Sequence, residues 1–215
     1  MAIALPQIYP ILDDSFLPKD GGSGYLDRLG RSLADAGVTL LEYRSKSGTD
    51  AEVLADARVL RAAMPAGQVR LVMDDRVDVA LAAGFDGVHV DAGDLPVPDA
   101  RLLLGVDRIV GTSAGDERQL MSALATEVDY VAFGPVFPTT TKQTSAVPIG
   151  IEGVRRFRAV AGPDALLVAA AGITLETASE ILEAGANTVA VAAAIFRQDD
   201  PAAEFRRWVA ALKQG

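Results

Sequence analysis

Val128-Asp129-Tyr130-Val131-Ala132-Phe133-Gly134-Pro135-Val136-Phe137-Pro138-Thr139-Thr140-Thr141-Lys142 opens as an apolar run and closes as a stiff polar loop. The run Val128 to Phe133 has the near-continuous apolar character of a strand covered on both faces. The loop offers backbone N–H groups, three threonine hydroxyls and one ammonium, a set suited to an anion such as a phosphate. Its prolines reduce the entropy lost when a ligand is held. Helical spacing then predicts a helix from Ile151 to Val160. Strand, ligand-competent loop and helix together make one βα unit.

The same unit recurs on both sides of this stretch. Strands are predicted at Gln7–Leu12, Thr39–Arg44, Val69–Met73, Gly87–Val90, Arg108–Gly111, Ala165–Ala170 and Thr188–Val191. Helices are predicted at Leu26–Ala36, from a Thr49 cap through Ala63, at Val77–Ala83, Asp99–Leu104 and Glu117–Thr126, from a Thr174 cap to Gly185, and at Pro201–Leu212. That makes eight strand–helix units in 215 residues, with no linker or low-complexity tract. They fit an α/β fold of one domain over residues 1–215, a single (β/α)8 TIM barrel with right-handed crossovers. An open doubly wound sheet is the competing arrangement. No G-x-G-x-x-G follows the first strand, which weakens its dinucleotide-binding form. No repeat between the halves is evident.

Composition narrows the class. Half the residues are hydrophobic and 23% are charged, enough for a large core. There is no cysteine, hence neither a disulfide nor a thiolate metal site. The net charge of −9 argues against a general nucleic-acid binder. No targeting signal and no membrane-spanning apolar run is seen, so a cytoplasmic location is expected.

In such a barrel the chemistry gathers at the C-terminal ends of the strands. The polar residues there are Asp13 and Asp14; Glu42, Arg44 and Lys46, spaced by two; Asp74, Asp75 and Arg76; Asp91 and Asp94; Ser113; and Thr139, Thr141 and Lys142. Cations beside hard-oxygen ligands suit a magnesium-bound diphosphate. Taken singly, Asp75–Arg76 and Asp94 read as strand-end caps and salt bridges; on six consecutive loops the set reads as a site. The seventh and eighth strand ends carry Gly172 and Ala192-Ala193-Ala194, small enough for backbone N–H groups to approach a monophosphate. His89, the only histidine, lies within an apolar strand and reads as a packed structural residue.

Tyr43-Arg44-Ser45-Lys46, Met73 to Asp78, Asp86 to Val90 with Asp94-Leu95, Gly111-Thr112-Ser113, Gly134 to Lys142 and Ala171 to Thr174 together resemble the thiamine-phosphate synthase family, which also holds the TenI-type thiazole tautomerases. The resemblance covers nearly the whole chain, and the strand-six loop is its most specific part. It implies an enzyme that joins a hydroxymethylpyrimidine diphosphate to a thiazole phosphate, releasing pyrophosphate. It further implies that Arg44, Lys46, Ser113 and Lys142 bind the diphosphate, and that Asp75 and Asp94 hold Mg2+. Thr139, Thr141 and the Gly172 backbone would then hold the thiazole phosphate, with Glu42 and Asp74 near the pyrimidine and diphosphate. The implied partners are small phosphorylated substrates, not nucleic acid or membrane, with a homo-oligomer left open.

The chain departs from the family pattern at four of these positions. Glu42 and Asp74 stand where the family usually has Gln and Asn, and Ala171 and Ala193 where it usually has Gly and Ser. Two other functions remain open: a TenI-like tautomerase, and a non-catalytic binder of phosphorylated thiamine precursors. The tautomerase typically uses a histidine in the loop after strand five, where this chain has Gly115.

Overall fold

The computed structural model describes residues 3–18, 22–139 and 146–213. Eight parallel strands close into a barrel in the order β1 to β8. They are β1 Ile8–Asp13, β2 Leu40–Arg44, β3 Arg70–Asp74, β4 Gly87–Val90, β5 Ile109–Ala114, β6 Tyr130–Phe133, β7 Leu167–Ala170 and β8 Thr188–Val191. Helices α1 Gly22–Asp35, α2 Asp50–Ala63, α3 Val77–Ala83, α4 Val97–Leu104, α5 Glu117–Leu124, α6 Gly150–Ala161, α7 Leu175–Glu183, α8 Ala193–Phe196 and α9 Pro201–Leu212 surround it. No helix among the described residues is long and apolar enough to cross a membrane.

Local chemistry explains most boundaries. Thr49 caps α2 in a reciprocal box: Glu52 N–H donates to Thr49 Oγ1 at 3.4 Å, and Thr49 N–H donates to Glu52 Oε2 at 2.8 Å. Helix α4 begins two residues before the expected Asp99, because Pro98 is tolerated in a first turn. Strand β5 runs to Ala114, three residues past the expected end, so Ser113 lies within the strand rather than after it. The four-residue α8 was not expected from the sequence; the alanines after β8, read as a loop, favour the helix.

Successive strand residues face opposite ways, and this sorts the core into two shells. Tyr9, Leu40, Val72, Ile109, Tyr130, Ala132, Val168 and Ala190 fill the barrel interior. A larger cluster, including Leu12, Leu41, Tyr43, Leu71, Met73, Val131 and Phe133, seals strands to helices. Gly111 is required by close approach: a Cβ there would lie 2.1 Å from Cζ of Tyr130. The missing side chain is the slot through which the Tyr130 ring crosses the barrel.

One device repeats at the N-terminal ends of the strands. Arg61 on α2 donates to Val69 O at 2.9 Å and Asp86 Oδ2 at 2.7 Å, and that carboxylate takes Leu71 N–H at 2.8 Å. Arg101 on α4 donates to Gly105 O at 3.0 Å and Asp129 Oδ2 at 2.6 Å, which takes Val110 N–H at 2.7 Å. Arg158 on α6 donates to Gly162 O and Gly185 O, both at 2.7 Å, and to Asn187 Oδ1, which takes Leu167 N–H at 2.8 Å. Each arginine ties its own helix end to the next strand entrance and to a side chain opening the strand after that. The floor is thus braced every second helix, leaving the opposite rim to carry chemistry.

Candidate functional site

A cavity of about 370 Å3 opens at the C-terminal end of the barrel. Its walls bring together Glu42, Arg44, Asp74, Ser113, Thr139, Gly172, Ala192 and Ala193 among the residues singled out in the sequence. Lys46 reaches the same rim through its contacts with Asp74 and Asp75. Thr141 and Lys142 lie outside the described residues.

The strand pleat explains the placement of the cations. Glu42 and Arg44 are two apart on β2, so both point inward. Arg44 meets Asp13, its register partner on β1, and its Nε stands 3.5 Å from Asp74 Oδ2. Lys46 Nζ lies 2.8 Å from that same oxygen and also pairs with Asp75. Both cations are therefore held by carboxylates at the mouth. Burial lifts the Asp74 carboxyl above its usual range, against the pull of Lys46.

Asp75 and Asp94 form the candidate metal pair. Asp75 Oδ1 is buried and accepts no hydrogen bond, and the residue is held at φ 61°, a left-handed conformation uncommon outside glycine that aspartate tolerates better than most side chains. Asp94 accepts from Asp91 N–H at 2.8 Å; burial first, and then the neighbouring Asp75, raise its carboxyl above the usual value. Two facing carboxylates with an unsatisfied oxygen suit a divalent cation. Among the described residues no group of three or more His, Cys, Asp or Glu side chains is arranged to hold a metal. A two-carboxylate set agrees with magnesium, which commonly takes one or two carboxylates and completes its shell with water and substrate phosphates.

Strands β7 and β8 supply the opposite wall. Ala171 and Gly172 follow β7 at φ 70° and 71°. A Cβ on Gly172 would sit 2.5 Å from Phe137 O and 2.6 Å from Pro138 O, so only glycine lets the loops after β6 and β7 close on each other. Ala192 caps α8 and Ala193 opens it, so this part of the wall carries no side chain larger than a methyl group.

The floor contains Tyr9 and Tyr130, which the sequence did not single out, and His89, which it read as structural packing. Tyr9 hydroxyl donates to Glu42 Oε2 at 2.9 Å and stands 3.1 Å from the Tyr130 hydroxyl. Tyr130 in turn stands 3.0 Å from His89 Nδ1. His89 Nε2 is 2.9 Å from Ser113 Oγ and 3.4 Å from Asp91 Oδ1. His89 is buried, as expected of a packed residue, but it faces the cavity and links two walls. Apolar context hid this: in a barrel, the inward face of an apolar strand leads straight to the ligand. Burial lifts Glu42 to about 7, with His89 opposing and Asp74 adding to the shift. Burial alone would lower the His89 imidazole; the Asp91 carboxylate 3.4 Å from Nε2 and the charge of Glu42 outweigh it, holding the ring at about 9.

Proton counting constrains this chain. When Glu42 is ionised, Tyr9 donates to it, Tyr130 donates to Tyr9, and His89 Nδ1 must carry the next proton. When Glu42 holds that proton, the tyrosines reverse and Nδ1 becomes an acceptor. Nε2 faces the Asp91 carboxylate and keeps its hydrogen in both cases.

A model of the family described as thiamine monophosphate synthase matches residues 8–195. A thiamine-phosphate synthase from Koribacter versatilis is 40% identical over 191 residues, covering 89% of each chain. One from Agrobacterium fabrum is 41% identical over 175 residues, covering 80% of each. The solved thiamine phosphate pyrophosphorylase from Pyrococcus furiosus superposes with a TM-score of 0.82 at 27% identity, over 97% of this chain and 96% of that one.

Proposed function

The chain belongs to the thiamine-phosphate synthase family, and from that premise we propose that its cavity joins hydroxymethylpyrimidine diphosphate to thiazole phosphate, giving thiamine phosphate and pyrophosphate. The observation that carries this reading is the division of the rim. Arg44 and Asp74 line one side, with Lys46 and Asp75 joined to Asp74 at the rim, and the small residues Ala171, Gly172, Ala192 and Ala193 line the other. One wall suits a diphosphate, the other a monophosphate.

The residues divide the work accordingly. Arg44, Lys46 and Ser113 hold the diphosphate, with Lys142 joining them on the strength of the resemblance. Thr139, Gly172, Ala192 and Ala193 hold the thiazole phosphate, with Thr141 added on the same ground. Asp75 and Asp94 would hold Mg2+, which when bound neutralises charge on the leaving diphosphate. Arg44 and Lys46 stabilise the same charge as it grows. Glu42 faces the pyrimidine, where a buried carboxylate favours positive charge on the ring. The two walls bring the thiazole nitrogen to the electrophilic carbon, and orientation lowers the remaining barrier. No protein nucleophile is required.

Purified protein incubated with both phosphorylated precursors and Mg2+ should form thiamine phosphate, read by fluorescence after oxidation. A protein that binds both precursors and yields no product is a binder instead. Conversion of an isomeric thiazole without the pyrimidine partner would point to the tautomerase.

A further inference from the structure

We propose that His89 is a positioning residue for the synthase reaction: its Nε2–H donates to Ser113 Oγ and thereby turns the Ser113 hydroxyl proton into the cavity, toward the departing diphosphate. The inference deepens the reading of this cavity as a diphosphate site and rests on it. Its basis is hydrogen-bond geometry. Nε2 lies 2.9 Å from Ser113 Oγ and 3.4 Å from an Asp91 carboxylate oxygen. An ionised carboxylate only accepts, so the nitrogen between the two oxygens carries a hydrogen. Ser113 Oγ then receives Nε2–H and has its own proton left for another acceptor. An unprotonated Nε2 would instead draw the serine proton toward the ring and turn only lone pairs to an anion.

The surroundings hold the ring in place. Its plane lies 26° from that of Tyr130, with centroids 5.6 Å apart, and Nδ1 meets the Tyr130 hydroxyl. Tyr130 itself is set by the slot at Gly111. Tyr9, Glu42, Asp74, Asp91 and Tyr130 are the titratable groups acting on the ring. The proton shared along the Glu42–Tyr9–Tyr130 chain changes Nδ1 and leaves Nε2–H intact, so the orientation survives either charge state.

Only one histidine is present, so one imidazole signal pair reports the ring directly. The experiment is 15N NMR of the full-length protein at neutral pH, together with the affinity for pyrophosphate in the presence of Mg2+. Nε2 should be protonated. His89→Gln, whose amide nitrogen reaches the Nε2 position, should bind pyrophosphate within about threefold of wild type. His89→Asn, whose amide lies nearer Nδ1, should lose about tenfold, the scale of a hydrogen bond to a charged group. In a Ser113→Ala background His89→Asn should change the affinity less than about twofold, because the receiving hydroxyl is gone. An unprotonated Nε2, or an equal loss from His89→Asn with and without Ser113, overturns the proposal while leaving the diphosphate site standing. Absence of pyrophosphate binding in every form overturns both. The wild-type spectrum decides its arm even if a variant fails to fold.

Discussion

Lys46 Nζ stands 2.8 Å from Asp74 Oδ2, so a cation suited to a diphosphate is already held by a carboxylate of its own chain. Arg44 shares that carboxylate at 3.5 Å. An incoming diphosphate must displace Asp74 from both, and the like charge opposes binding. We expect Asp74→Asn to lower the Michaelis constant for the diphosphate substrate by roughly threefold or more. A rise in that constant with lower turnover would make Asp74 a ligand of metal or substrate.

The Asp75–Asp94 pair gives a second prediction. Asp94→Ala removes one of two facing carboxylates and the acceptor for Asp91 N–H. Turnover with Mg2+ should drop roughly a hundredfold, while lost folding stability stays near 1 kcal/mol, the worth of one hydrogen bond. Normal Mg2+-dependent activity in this variant would move the metal elsewhere.

The backbone after β7 yields opposite expectations for neighbouring residues. Ala171 is held at φ 70°, where a side chain is strained, so Ala171→Gly should raise stability by about 0.5 kcal/mol after the entropy added to the unfolded chain. Gly172→Ala forces a Cβ against Phe137 O and Pro138 O. It should lower stability by ~2 kcal/mol and raise the Michaelis constant for the thiazole phosphate. Thermal melts and steady-state kinetics on both variants check the pair.

Stability should depend on pH through the cavity floor. Glu42 is lifted from 4.5 to about 7, and His89 from 6.5 to about 9, so each binds its proton more tightly folded than unfolded. Their contribution is complete below the unfolded values and is lost as pH rises through the folded ones. The window is pH 4.5 to 7 for Glu42 and 6.5 to 9 for His89. Tm should fall between neutral pH and pH 9, and His89→Gln should flatten that part of the curve. A wild-type Tm that rises across the same window contradicts the assignment.

Gly111→Ala tests the interior. The new methyl would enter the Tyr130 ring, displacing its hydroxyl from Tyr9 and His89. We expect a loss of ~2 kcal/mol from overpacking and a changed His89 15N spectrum, compared by denaturant unfolding and NMR.

Much of the molecule was legible before folding. The near-continuous apolar runs fixed eight parallel strands, because a strand covered on both faces has no polar side to display. Thr49 before α2, and Gly84 after Ala83, marked helix ends by local hydrogen bonding and left-handed backbone alone. The spacing of Glu42 and Arg44 placed both inside the mouth, since a strand repeats every two residues. These signals are local, so order along the chain contains them.

Contacts between distant residues were not legible in the same way. Tyr9 and Tyr130 are 121 residues apart, and neither carries a motif; barrel closure alone brings their hydroxyls together. His89 looked like packing because its neighbours in sequence are apolar, while its neighbours in space are Tyr130, Ser113 and Asp91. The pairing of Lys46 with Asp74 depends on adjacent strand ends, and the repeated arginine braces on intervals too unequal to register as a sequence repeat. Sequence thus determined the eight strands, the helices between them and which way the strand side chains alternate. Only the tertiary structure decided which side chains meet, because the charge state and orientation of a buried polar group are set by the partners that closure of the barrel places around it.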